Sequence, residues 1–270
     1  MEKKSKKVTE NKMLNVTNST DKELQEKITA MREGGKILGT LLRDLKNYVK
    51  PGMTGTEIDA WVRKEIVKRG AKVAYDMLDD EFPGAICISV NDELVHGAPK
   101  DIELEEGDKV SFDLDIYYKG FFTDSAFTML VGNKGSNAVK NMIKITESSM
   151  YEGIEQVKPG AHIGDISEAV EKVLRKGHLG VIENYVGHGI DKEMHESPEV
   201  PNYGKKGHGY KLQVGDTICI EPMSCLGKPA NYTDKDDNWT VKMKDGSIAC
   251  HCEHTILVTE DGYEILTLPE

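Results

Sequence analysis

Three aspartates lie in a segment that otherwise reads as a β-hairpin, SFDLDIYYKGFFTDS over residues 111–125. Aspartate is depleted in strands because its side chain competes for backbone hydrogen bonds and gains little on a pleated surface. A two-residue Lys-Gly turn predicts that Asp115 lies opposite Asp124 and that Asp113 lies diagonal to it. Because side chains at i and i+2 share a face, all three carboxylates should point the same way, close enough to bind one ion. The alternative is a solvated strand face that does no chemistry.

Further candidate ligands lie beside other apolar segments. Glu221 ends one apolar strand, Glu253 begins another, and His188 lies between two glycines in GHGI. Together with Asp113 and Asp124, these residues make an oxygen-rich set with one imidazole, which suits two divalent cations such as Mn, Fe(II), Co or Zn. Burying four carboxylates without partners is costly, whereas two dications offset that charge directly.

The elements that carry these residues mix helices with hairpin strands. A capping box at Thr20 predicts a helix that ends at Pro51-Gly52, and a second capping box at Thr54 predicts a helix to Gly70. Further predicted elements are helices over 136–156 and 164–177, and strands over 85–90, 215–223 and 252–260. Because the strands form hairpins rather than a regular βαβ alternation, the predicted fold class is α+β.

The chain also repeats itself. Residues 49–66 resemble residues 157–174, and residues 107–113 resemble residues 215–221, both at an offset of 108. Two independent matches at one offset predict two related halves, each built from helices and antiparallel strands. The second match aligns Asp113 with Glu221, a carboxylate with a carboxylate.

Composition narrows the class of protein. The 270 residues carry a net charge of −11, which argues against a dedicated nucleic-acid binder. Five scattered cysteines indicate reduced thiols and a cytoplasmic protein, and no apolar run approaches the roughly 18 residues of a membrane span. Residues 1–18 are polar and predict a disordered tail, which leaves residues 19–270 as a single catalytic domain.

Five motifs in order resemble the methionine aminopeptidases, and they are most similar to the short, single-domain type I enzymes of bacteria. The motifs are NDELVHG (91–97), DLDIYYKGFFTD (113–124), GHGIDKEMHESPEV (187–200), CIEPM (219–223) and CEHT (252–255). The resemblance covers residues 22–267. It implies the pita-bread fold, whose two pseudo-symmetric halves agree with the repeat, and a monomer that removes the N-terminal methionine from peptides and nascent chains. Association with the ribosome, where nascent chains emerge, is a further expectation.

The resemblance also implies a set of site residues. The implied metal ligands are Asp113, Asp124, His188, Glu221 and Glu253, with Asp124 and Glu253 bridging two ions. His96 and His195 are expected to contact the substrate, and Glu221 to accept a proton from the attacking water. Asp115 matches no functional position and is expected to be solvated or to lie behind the ligands.

A methionine-binding pocket is implied at Phe82, Cys87 and Trp239, where an apolar, polarizable surface suits a thioether. Two residues depart from the family pattern, because Asp191 stands where glycine is common and Met194 where an aromatic residue is common. Both border the implied pocket and put its shape in question. The CHC segment at 250–252 places its cysteines and its histidine on opposite strand faces, so it predicts a packed strand and gives His251 no role.

Several other functions remain open. An Xaa-Pro aminopeptidase or dipeptidase would share the fold but carry a sizeable additional N-terminal domain. A type II methionine aminopeptidase would carry a long insertion between His195 and Glu221, where only 25 residues intervene. A non-catalytic binding protein would have lost ligand residues, and a structural metalloprotein would leave His96 and His195 without a role.

Overall fold

The computed structural model describes residues 2–78, 82–132 and 134–270, with side chains described from residue 22 onward. The helices are α1 (Glu2–Tyr48), α2 (Gly55–Lys68), α3 (Asn137–Ile154) and α4 (Ile163–Lys176), with a 3-10 turn at Tyr75–Met77. Because α1 begins upstream of Thr20, the predicted helix start at that residue is wrong. The predicted disordered tail, residues 1–18, lies outside the described side chains and stays a prediction.

The boundary between α1 and α2 follows the predicted signals. α1 ends at Tyr48, just before the Pro-Gly pair, and α2 begins after Thr54. The Thr54 hydroxyl accepts a hydrogen bond from the Glu57 backbone N–H at 3.2 Å, and the Glu57 carboxylate accepts one from the Thr54 N–H at 3.0 Å. This reciprocal pair satisfies two N–H groups that the helix start leaves open, so the predicted capping box is confirmed.

Fifteen strands are described, in four sheets. They are β1 (Lys72–Val73), β2 (Cys87–Val90), β3 (Glu93–Val95), β4 (Lys109–Tyr118), β5 (Phe121–Leu130), β6 (Gly180–Val181), β7 (Gly187–Gly189), β8 (Glu196–Val200), β9 (Thr217–Ile220), β10 (Met223–Cys225), β11 (Asn231–Thr233), β12 (Val241–Met243), β13 (Ala249–His251), β14 (His254–Thr259) and β15 (Gly262–Ile265). One sheet has the order β1-β4-β2 with β5 paired to β4, and another has the order β15-β14-β9-β7-β8. Two three-stranded sheets, β13-β10-β6 and β11-β12-β3, complete the set. Every pairing is antiparallel, which confirms the α+β prediction.

The aspartate hairpin has the predicted register. β4 and β5 pair so that Asp115 lies opposite Asp124, and the Lys119-Gly120 turn has positive φ at both residues. Positive φ at both central residues matches the twist of the flanking strands, which is why such turns favour glycine. The opposite face of β4 carries a buried apolar row that packs into one core cluster: Val110, Phe112, Leu114 and Ile116.

The two predicted halves are visible in the element positions. The bounds of α4 equal those of α2 plus 108, and those of β6 equal those of β1 plus 108. β4 and β9 also begin 108 residues apart. Each half has its own apolar core. Asp113 lies within β4, and Glu221, its counterpart in the repeat, directly follows β9. The repeat therefore brings carboxylates from both halves toward the region between them. No helix in the described part of the chain is long and apolar enough to cross a membrane.

Candidate metal centre and substrate pocket

The hairpin carboxylates converge. Asp113, Asp115 and Asp124 each offer one oxygen, and these oxygens lie within 4.8 Å of one another. Asp115 and Asp124 are buried, each with 4% of its surface exposed, and Asp113 is half-buried. Of the two alternatives predicted for Asp115, the solvated one is therefore wrong, because the buried carboxylate lies beside the predicted ligands Asp113 and Asp124.

Two further groups of ligand atoms join the same cluster. Asp124 meets His188, Cys219 and Glu253, and Glu253 also meets Glu221 and His251, with every atom of a group within 4.8 Å of the others. The strands explain this convergence, because β9 pairs with both β7 and β14 and so places the ends of three short segments together. Asp124 and Glu253 each belong to two groups, and these are the two residues for which the family resemblance implies a bridging role.

His188 presents its Nε2 atom to this cluster. Its Nδ1 atom lies 3.0 Å from the Gly189 carbonyl oxygen, which can only accept, so Nδ1 carries the proton. The Nε2 lone pair then faces Glu221 Oε1 at 3.5 Å and Asp124 Oδ2 at 3.9 Å. Burial and the neighbouring His195 lower the pKa of His188 to about 3, which keeps the imidazole neutral. A neutral imidazole with its second nitrogen fixed in this way is the usual state of a metal-ligating histidine.

The negative charge of the clustered carboxylates is not balanced by ion pairs with described lysines or arginines. No lysine or arginine in the described part of the chain forms an ion pair with Asp113, Asp115, Asp124, Glu221 or Glu253. Burial, and then repulsion between neighbours, raises the pKa of Asp113, Asp124 and Glu253 well above the ordinary range. Within this group of carboxylates, four buried oxygens have no hydrogen-bond partner among the described residues: Asp113 Oδ1, Asp115 Oδ1, Asp124 Oδ1 and Glu253 Oε1. Hard oxygen donors with one neutral imidazole fit divalent cations, which would supply the missing charge.

His251 is a residue that the sequence prediction left without a role. It has 2% of its surface exposed, and its Nε2 atom lies 3.3 Å from Glu221 Oε2 and 3.8 Å from Glu253 Oε2. Strand alternation contains the signal, because residues 251 and 253 are separated by two positions and share a face in an extended segment. Cys219 was also missed, since its only sequence signal is the apolar strand in which it lies.

An aromatic wall lies next to the carboxylates. Phe82 packs between Tyr75 and Trp239, with ring centroids 4.5 Å and 5.4 Å away, and the Tyr75 hydroxyl lies 3.4 Å from Cys87 Sγ. Cys87 is paired directly opposite Asp113 across β2 and β4. The three residues predicted to form a methionine pocket are thus brought together with Tyr75, on the side of the cluster that Asp113 occupies.

The two predicted substrate histidines lie around the cluster. His195 is exposed, and its ring centroid lies 4.4 Å from that of His188. His96 is half-buried, packs edge-on against Tyr185 at 5.8 Å and has a φ of 55°. A non-glycine residue in the left-handed region is strained, and such strain concentrates where a side chain must be aimed at a site.

The two departures from the family pattern also have definite surroundings. Asp191 forms an ion pair with Lys27 of α1 at 2.6 Å, and its backbone carbonyl accepts a hydrogen bond from the Phe122 N–H at 2.8 Å. Met194 is buried in an apolar cluster that includes Phe122 and Cys219. The carboxylate at position 191 therefore ties the segment before His195 to α1.

Comparison with known proteins agrees with this arrangement. The model of metallopeptidase family M24 matches residues 29–260. The methionine aminopeptidase of Clostridium perfringens is 42% identical over 246 residues, which cover 90% of this chain and 97% of that protein. A crystal structure of methionine aminopeptidase from Rickettsia prowazekii superposes with a TM-score of 0.86 at 36% identity, covering 90% of this chain and 97% of that one.

A more distant comparison shows the shared fold. Prolidase from Pyrococcus furiosus superposes with a TM-score of 0.71 at 23% identity, and the match covers 91% of this chain but only 64% of that one. The matches to methionine aminopeptidases are higher in identity and cover 90% of this chain and 97% of each relative. On its sequence, its fold and the residues gathered at its centre, the chain belongs to the methionine aminopeptidases of metallopeptidase family M24.

Proposed function

We propose that this chain removes the N-terminal methionine from peptides and nascent proteins in the cytoplasm, using two divalent cations drawn from Mn, Fe(II), Co or Zn. The proposed ligands are Asp113, Asp124, His188, Glu221 and Glu253. One observation carries the proposal: ligand atoms from both halves of the chain converge within overlapping 4.8 Å groups, and four of the buried oxygens lack partners among the described residues. Two bound cations would activate water and polarise the first peptide carbonyl.

Proton handling falls to Glu221. Its carboxylate lies within 3.5 Å of His188 and 3.3 Å of His251, both of which are buried, so bulk water has little access to it. Without metal, burial raises the pKa of Glu221 well above its ordinary value, and bound cations would offset that cost and hold the carboxylate ionised, ready to accept a proton. In the proposal, Glu221 takes the proton of the attacking water and passes it to the departing amine.

The two substrate histidines hold the reacting peptide. His195 is exposed beside His188, where an imidazole N–H can donate to the oxygen that becomes negative as the carbonyl is attacked. His96 is aimed by its left-handed backbone and would donate to the scissile nitrogen or to the next residue's carbonyl. Because both histidines act on the substrate and are not proposed metal ligands, substitution of either should lower activity and leave the bound metal unchanged.

Selectivity for methionine is assigned to the aromatic wall. Phe82 and Trp239 offer apolar ring surface, and Cys87 adds a polarizable sulfur atom directly opposite Asp113. A flexible thioether makes favourable contacts with such a surface, about 0.3–1.5 kcal/mol for each sulfur–aromatic contact. The first side chain of a substrate would lie against this wall, which places its peptide bond at the carboxylates.

The test is release of free methionine from Met-Ala-Ser, with Arg-Pro-Pro as the control peptide. Each peptide is incubated with chelated protein before and after addition of Mn, Co or Fe(II). The proposal predicts metal-restored cleavage of Met-Ala-Ser alone. Cleavage of Arg-Pro-Pro would assign the chain to Xaa-Pro chemistry instead, and ribosome pull-down and sedimentation would test the expected nascent-chain docking and monomeric state.

A further inference from the structure

The most informative unassigned side chain is His251. It ends β13, an edge strand of its sheet, and it points away from the core in which its neighbour Cys250 is packed. Its imidazole is almost completely buried, and neither ring nitrogen makes a hydrogen bond with any described residue. A buried imidazole without partners is costly, because both of its nitrogens lose their contacts with water.

The surroundings of His251 Nε2 suggest why this imidazole is buried without a hydrogen bond. The atom lies 3.3 Å from Glu221 Oε2 and 3.8 Å from Glu253 Oε2, and the three atoms form one compact group. These separations are longer than the usual 2.9–3.0 Å of an N–H···O hydrogen bond. Two atoms that each lie about 2.0–2.2 Å from a shared cation, at an angle between right and tetrahedral, are themselves about 3.0–3.5 Å apart. The 3.3 Å separation from Glu221 lies within this range, and the 3.8 Å separation from Glu253 is slightly beyond it.

His188 gives an internal standard for this geometry. Its Nε2 atom lies 3.5 Å and 3.9 Å from two carboxylate oxygens, and it is a metal ligand in the proposed function. The Nε2 atom of His251 lies at similar distances, 3.3 Å and 3.8 Å, from oxygens of Glu221 and Glu253. Glu221 is common to both histidines, with Oε1 facing His188 and Oε2 facing His251. One glutamate therefore lies between two imidazoles at opposite oxygens.

We propose that His251 Nε2 is a sixth protein ligand, acting with Glu221 and Glu253 at the metal centre. This inference rests on the proposed function, since it requires that the carboxylate cluster binds metal. It gives the centre two imidazoles, one from β7 and one from β13. Because imidazole favours the later first-row metals over Mn, the centre should prefer Co(II) and Zn(II) more strongly than the five predicted ligands alone would.

The rival explanation is that His251 only orients Glu221 through a hydrogen bond. A glutamine at position 251 separates the two, because its amide can donate to Glu221 but offers no imidazole nitrogen. His254→Gln is the matched control: His254 lies three residues further along the chain, and its Nδ1 atom is 2.8 Å from the Thr267 hydroxyl, outside the ligand groups.

The experiment is pulsed EPR of Mn(II)-loaded protein, with and without ¹⁵N-labelled histidine, to count the imidazole nitrogens bound to manganese at the centre. We expect two in the unaltered chain and in His254→Gln, and one in His251→Gln. Competition with a chelator should show Co(II) affinity falling at least about 10-fold in His251→Gln, with a smaller change for Mn(II).

Different results would contradict the sixth ligand and the metal centre. A single imidazole in the unaltered chain, with equal Co(II) affinity in His251→Gln, would overturn the sixth ligand and leave the proposed function intact. Failure of the unaltered chain to bind either ion would overturn the metal centre itself. Because the labelled spectrum of the unaltered chain counts nitrogens without any substitution, the inference stays testable even where His251→Gln does not fold.

Discussion

Burial of Lys109 should make the free energy of unfolding of this protein rise with pH in the alkaline range. The side chain is fully buried, and its Nζ atom donates to the backbone carbonyls of Ser89 at 3.1 Å and Glu93 at 3.0 Å. These carbonyls lie at β2 and β3, in the segment that leads to His96. Burial, partly opposed by nearby acidic groups, lowers the pKa of Lys109 to about 8.

The size of the effect follows from that value. A fall from 10.5 to about 8, at about 1.4 kcal/mol for each pH unit, costs the folded state about 3 kcal/mol while Lys109 is charged. Below pH 8 the lysine is protonated in both the folded and the unfolded chain. Between pH 8 and 10.5 the unfolded chain binds one proton more, so the free energy of unfolding rises with pH. Lys109→Met, which is similar in length, removes this dependence.

The assay is urea unfolding of the unaltered chain and of Lys109→Met at pH 7, 8, 9 and 10, followed by circular dichroism. The free energy of unfolding of the unaltered chain, minus that of the variant, should grow by about 2.5 kcal/mol between pH 7 and pH 10. Lys72→Met, a lysine-to-methionine change at an exposed strand position, is the control variant and is measured over the same pH range. A constant difference for Lys109→Met would refute the assigned cost of burial.

Three further substitutions test the site and its support. Glu253→Gln removes a carboxylate that belongs to two ligand groups, so metal affinity measured by chelator competition should fall at least about 100-fold, and unchanged affinity would contradict its bridging role. Trp239→Ala removes the ring that packs edge-on against Phe82, so kcat/KM for Met-Ala-Ser should fall about 10–100-fold with metal content unchanged. Gly97→Ala would place a Cβ atom 2.3 Å from the Ile88 carbonyl oxygen, so urea unfolding should show a loss of about 1–3 kcal/mol.

Much of the fold follows from local signals in the sequence. The Lys-Gly turn set the register of the β4–β5 hairpin, because a two-residue turn leaves only one pairing, and Asp115 lies opposite Asp124 as expected. The 108-residue repeat predicted two halves, since related segments adopt related structures. The start of α1 was predicted wrongly at Thr20. A capping-box pattern is a local signal, and here the helix runs through it from Glu2.

The site was predictable to a smaller extent. The motifs named carboxylates and His188 as ligand candidates, but distance along the chain does not say which of them meet. Asp115 was expected to be solvated or to lie behind the ligands because it matches no functional position in the family, and only the tertiary structure shows that its carboxylate is buried. His251 was given no role because the CHC segment predicted a packed strand, although residues 251 and 253 share a face in an extended segment.

The Asp191–Lys27 ion pair could not be predicted from sequence either, since α1 and the segment before His195 are far apart in the chain. Its two side chains are 23% and 14% exposed. Tertiary packing alone brings them together, and it gives the departure from glycine at position 191 a definite structural partner.

We expect metal bound by this cluster to be required for removal of N-terminal methionine. The most direct measurement is an anaerobic titration of chelated protein with Mn(II), in which bound metal and methionine released from Met-Ala-Ser are followed in the same sample. We expect release to rise with bound metal and to reach its plateau at two ions for each chain. Full release in the presence of chelator, or two bound ions with no release, would contradict the claim.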